Sequence, residues 1–111
     1  MRPEMIRERL ERGILVECRG HGNSMTPILH DGELVLIAPL SRIKKPVEVG
    51  DIVFCKVHGN YYDHLVKAVN AKRGYLIANN HGHVNGWTKQ IFGKVFKINS
   101  RGLESRQKIQ F

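Results

Sequence analysis

The stretch DIVFCKVHGNYYDHLVKAV, residues 51–69, constrains the fold more than any other part of the chain. Two runs rich in β-branched and aromatic residues flank His-Gly-Asn, a tight-turn sequence, so this region returns on itself as a hairpin. The same pattern recurs along the chain. ILVEC (14–18), ELVLIAPL (33–40), YLIANN (75–80) and IFGKVFKI (91–98) are strand-length apolar runs. Polar or turn-forming segments such as SRIKKPVEVG (41–50) and NAKRG (70–74) separate them. Helical periodicity is confined to the N-terminus. There Pro3 and Glu4 suit a first turn, Met5, Ile6 and Leu10 fall on one side, and Gly13 ends the segment. Thr26 and Pro27 predict one further helical turn that closes at Asp31-Gly32. The expected fold is a compact, mainly β domain with a short N-terminal helix over 1–13 and a polar tail over 99–111.

With 111 residues and no internal repeat or linker, the chain reads as a single domain spanning 1–111. No apolar run approaches the roughly 20 residues that a bilayer-spanning helix needs. The N-terminus lacks the apolar core of a secretory signal, so a cytoplasmic protein with no membrane partner is expected. Cys18 and Cys55 have no metal-type spacing and read as two buried thiols. His81 and His83 form the densest histidine pair, but no third or fourth ligand stands at a familiar spacing, so neither metal nor cofactor is expected.

Charge is distributed unevenly. Residues 1–63 carry nine basic and nine acidic side chains, whereas from His64 onward Glu104 is the only acid against nine lysines and arginines. The net charge of +8 therefore resides in the second half. That asymmetry fits an anionic partner or a solubilising surface.

The chemistry-bearing stretch is GHGNSMTPILHDGE, residues 20–33. A serine hydroxyl attacks a carbonyl only when a base takes its proton, and a desolvated, neutral lysine is one such base. Counting along YYDHLVKAV (61–69) with period two puts Leu65, Lys67 and Val69 on one side and His64, Val66 and Ala68 on the other. Aliphatic company predicts a buried Lys67 with a lowered pKa, and places His64 on the opposite face from it. Pro27, Asp31 and Gly32 read as turn chemistry, and Trp87 as packing.

GNSMTP (22–27) resembles the Ser-Met-x-Pro box of the type I signal peptidases, whose fold and Ser–Lys dyad are shared by the self-cleaving proteins LexA and UmuD. The resemblance continues in the family's order through DGELVLI, VEVGDIVFCKV, HLVKAV, NGW and IFGKV, and covers about residues 18–97. It implies a LexA- or signal-peptidase-like β-fold, with Ser24 as nucleophile and Lys67 as general base. Some members place a second hydroxyl two residues before the nucleophile. Here that position is Gly22, so the resemblance implies an oxyanion hole made from the backbone N–H groups of Asn23 and Ser24. Met25 falls beside the nucleophile as core or as a wall of the substrate cleft.

The chain departs from the family at Ala68, where arginine is usual, and around ANNHGHVNGW, which lacks the usual aspartate. No membrane anchor, winged helix, or Ala-Gly or Cys-Gly bond is present, so LexA-type self-cleavage is not expected. Two functions follow. One is a soluble Ser–Lys serine peptidase acting on a peptide or protein bound as an added strand, with small residues beside the scissile bond. The other is a catalytically silent module that binds single-stranded RNA or DNA, or a protein partner, through Lys72, Arg73, Lys89, Lys94 and Lys97. The sequence sets no oligomeric state.

Overall fold

The computed structural model describes residues 1–99 and the backbone of 101 and 102, so the expected polar tail lies almost wholly outside the described residues. The N-terminal helix α1 spans Pro3–Glu11, with Pro3 in the first turn, where a missing N–H costs nothing. Gly13 ends it in the left-handed region at φ 79°, and α1 buries Ile6 and Leu10. The strands are β1 (Val16–Arg19), β2 (Leu34–Pro39), β3 (Ile52–Val57), β4 (Asn60–Asn70), β5 (Gly74–Ala78), β6 (Val84–Thr88), β7 (Ile91–Ile98) and β8 (Arg101–Gly102). They form one antiparallel sheet in the order β1-β2-β7-β3-β4-β5-β6, and β8 pairs with β7. The domain is mainly β.

The hairpin at 51–69 forms as its sequence dictates: β3 and β4 run from Ile52↔Leu65 to Val57↔Asn60. His58 (φ 49°) and Gly59 (φ 84°) both adopt the left-handed conformation that a two-residue hairpin turn requires. Alternation along the strands splits the core between the two faces of the sheet. Ile52, Phe54 and Leu65 pack with Val35, Ile37, Val95 and the α1 side chains on one face. Val53, Cys55 and Val57 pack with Val66, Ile77 and Ile91 on the other.

Two local expectations are corrected. The segment after Ser24 is a run of turns rather than a helical turn opened by Thr26-Pro27, and the Thr26-Pro27 peptide bond is cis. The Thr26 hydroxyl donates back to the Asn23 carbonyl (3.0 Å) instead of capping forward, and Met25 O accepts from both Ile28 N and Leu29 N. The other correction is β6. Residues 84–88 are not among the strand-length runs expected, yet they pair with β5 over Tyr75↔Thr88 to Ala78↔Val84. Gly86 makes this possible. At φ 135° it passes so close to His58 that a Cβ would lie 2.7 Å from the ring.

Cys55 is buried and Cys18 half-buried, both as free thiols. Burial raises the Cys18 thiol to about 11 and pushes Cys55 higher still, so both are protonated and unreactive at neutral pH. No helix among the described residues is long and apolar enough to cross a membrane.

Candidate active site

Ser24 sits in the turn after β1, and two neighbouring segments fix that turn. Asn80 N–H donates to Ser24 O (3.0 Å), and the Asn80 side-chain amide donates to Thr26 O (2.9 Å). On the other side Asp31 Oδ1 accepts from Gly22 N (2.7 Å). His81 Nε2 lies 3.0 Å from Thr26 Oγ1 and 3.2 Å from Asn23 O, so this histidine joins the turn network. The Ser24 turn is thereby clamped between the Asp31 loop and the β5–β6 loop. Among the described residues no protein group accepts a hydrogen bond from the backbone N–H of Asn23 or Ser24.

The Ser24 hydroxyl meets a histidine. Ser24 Oγ lies 3.0 Å from His64 Nε2, and His64 Nδ1 lies 2.7 Å from Asn85 Oδ1. With the amide oxygen as acceptor, the ring proton is on Nδ1. Nε2 is then left as an acceptor aimed at the serine hydroxyl. The ring of Tyr62 stacks on the imidazole at 4.7 Å between centroids, which fixes its plane. Burial lowers the His64 pKa below its ordinary value, as does the nearby His83, while the Asn85 bond opposes them. The imidazole is therefore neutral at pH 7, the form that can take a proton.

Lys67 lies elsewhere. The pairing of β4 with β5 slips between Val66 and Ala68, so Lys67 is the extra residue of a bulge. Leu65 and Val66 are both buried and Lys67 is exposed, which overturns the expectation of a desolvated lysine. Strict alternation fails at the bulge, and the parity count carried burial one residue too far. His64 and Asn85 are the residues that sequence reasoning passed over. A histidine three positions before Lys67 on the same strand was visible in the sequence. Asn85 carried no local signal, because it reaches His64 only through β6.

Ser24, His64 and Asn85 open into a cleft of about 480 Å³ bounded by β1, the nucleophile turn, the start of α1 and β4. Met25 lines this cleft and is only 3% exposed, so it serves as core and cleft wall together.

The basic residues do not share a surface. Lys94 is 3% exposed and paired with Asp51, itself 1% exposed, at 3.0 Å, so it cannot reach a nucleic acid. Its place on β7 turns it inward beside β3, which the charge count alone could not reveal. Exposed Lys72 and Arg73 lie in the β4–β5 turn, with the Arg73 guanidinium 5.7 Å from the Trp87 ring centre. Lys89 joins that end of the molecule, its side chain lying against Gly74. Lys97 is exposed on β7 opposite Leu36 of β2. His81 and His83 form no metal cluster: among the described residues no three His, Cys, Asp or Glu side chains are grouped to hold an ion.

No curated protein and no solved structure matches the chain. The family model described as Peptidase S24-like matches residues 8–96, which covers the last turn of α1, all strands from β1 to β6 and most of β7. The match takes in the serine turn, the histidine strand and the asparagine strand alike. The chain belongs to the Peptidase S24-like family.

Proposed function

We propose that this protein is a serine peptidase in which Ser24 is the nucleophile, His64 the general base, and Asn85 the residue that orients His64. The observation that carries this reading is the continuous contact from Ser24 Oγ through the imidazole to the Asn85 amide. It has the order nucleophile, base, orienting group that serine acyl transfer requires. His64 takes the hydroxyl proton as Ser24 attacks the substrate carbonyl. The backbone N–H groups of Asn23 and Ser24, which have no acceptor among the described residues, stabilise the oxyanion. The His64 imidazolium then protonates the leaving amine, and water repeats the cycle on the acyl-enzyme.

The substrate is a peptide or protein segment in extended form. Among the described residues β1 stands at the end of the sheet, and its residues Cys18 and Arg19 line the cleft, so an extended chain can add beside it. Lys67 takes no part in this scheme, because its amine is solvated at a bulge. A fluorophosphonate probe followed by intact mass and peptide mapping tests the reading. One adduct on Ser24, absent from His64→Ala, supports it. No adduct on the wild-type chain at any pH contradicts it.

A further inference from the structure

The mechanism leaves one group of the cleft unused. Asp63 precedes His64 on β4 and is the only acidic side chain among the residues that line the cleft. Its Oδ1 is buried and has no hydrogen-bond partner. No cation answers it either: the ion pairs among the described residues involve other carboxylates. The guanidinium of Arg19, also at the cleft, instead donates to Gly32 O at 2.8 Å. Asp63 as a whole is half-buried, but a buried carboxyl oxygen without a partner is costly and is seldom retained by packing alone. Cys18, Met25, Phe54 and Tyr61 line the same cleft as apolar walls, and Arg19, His21, His64 and His83 are its basic side chains.

We propose that Asp63 is a specificity determinant that receives the cationic side chain of a lysine or arginine in the bound peptide. This rests on the peptidase reading above. A cleft with one carboxyl beside apolar side chains such as Met25, Phe54 and Tyr61 suits a side chain that has an aliphatic stem and a charged head. The substrate's cation supplies the missing hydrogen bonds and countercharge, and a neutral side chain of the same length leaves the carboxyl unsatisfied. Burial of Asp63 raises its pKa to about 7 in the empty cleft, so binding of a cation favours the ionised carboxylate and releases protons near neutrality. Asp63 acts on the choice of substrate, whereas Ser24 and His64 act on the bond.

The test separates binding from chemistry. The full chain carrying Ser24→Ala is titrated with fluorescein-labelled hexapeptides in which each position in turn holds Lys, Arg, norleucine or Glu. Lys or Arg should bind about tenfold or more tighter than norleucine at one position. Adding Asp63→Asn, which keeps the side-chain shape, should abolish that preference while norleucine binding stays unchanged. Equal binding of Lys and norleucine at every position overturns the proposal, as does a preference that survives Asp63→Asn or the absence of binding by any peptide. Fluorophosphonate labelling of Ser24 in the Asp63→Asn chain provides the second readout. Retained labelling with a lost preference is the expected pair. Labelling of Ser24 without any basic preference leaves the peptidase reading standing and removes this one.

Discussion

Ser24 and His64 lie 40 positions apart in the chain, and their 3.0 Å contact depends on the serine turn and β4 being held rigidly against one another. Ser24→Ala and His64→Ala should each reduce peptide hydrolysis by at least about a thousandfold, measured as kcat/KM on a cleaved peptide. Lys67→Arg should leave the rate within about twofold, since an exposed ammonium replaced by a guanidinium changes nothing at the site. Asn85→Ala frees the imidazole to rotate and should cost about a hundredfold, mainly in kcat. The pH profile follows from the same environment. Burial lowers the His64 pKa, so the acid limb of kcat/KM should fall below the ordinary histidine value of 6.5. A lysine base would place the rising limb on the alkaline side.

At the scale of elements, the site depends on strand contacts that tolerate little change. Gly93 on β7 faces Ala38 O, and an added Cβ would lie 2.6 Å from that oxygen and 2.8 Å from Ile37 Cγ2. Gly93→Ala should therefore destabilise the fold by about 1–3 kcal/mol in urea unfolding, without a partner able to yield cheaply. Lys94 and Asp51 tie β7 to the loop before β3, with Asp51 Oδ2 also accepting from Glu48 N at 2.8 Å. Lys94→Met strands the buried Asp51 carboxylate and should cost about 3–5 kcal/mol by the same measurement.

These elements also show what the sequence could reveal. The hairpin of β3 and β4 was legible because apolar alternation and His-Gly-Asn agree locally. Ser24 was legible from the turn chemistry and family motif around it. Lys67 was misread because a bulge arises from pairing with β5, and pairing is a long-range fact. β6 escaped because Val-Asn-Gly-Trp-Thr has weak alternation and gains its place from β5 and from the space Gly86 leaves beside His58. Asn85 was hidden with it.

Across the whole molecule, charge and stability are linked through the cleft. Asp63 has its pKa raised by burial to about 7, well above the value of about 4 expected in an unfolded chain. The folded protein thus holds a proton that the unfolded chain has already released, and stability falls as pH rises from about 4 to about 7. Asp63→Asn should flatten that slope and be more stable than the wild type above this window, as read by melting temperature across pH. A stability cost at the substrate cleft, removed by one isosteric change, is what a group kept for binding would show. Within the positive second half, Lys94 is consumed in the core by its pair with Asp51. The central claim remains the pairing of Ser24 with His64. It is tested most directly by the pH dependence of Ser24 acylation by a fluorophosphonate, compared in the wild type, His64→Ala and Lys67→Arg. A single Ser24 adduct is expected, whose formation rate rises on a limb below pH 6.5, is lost in His64→Ala and is unchanged in Lys67→Arg. Acylation that survives without His64 but vanishes in Lys67→Arg would contradict it.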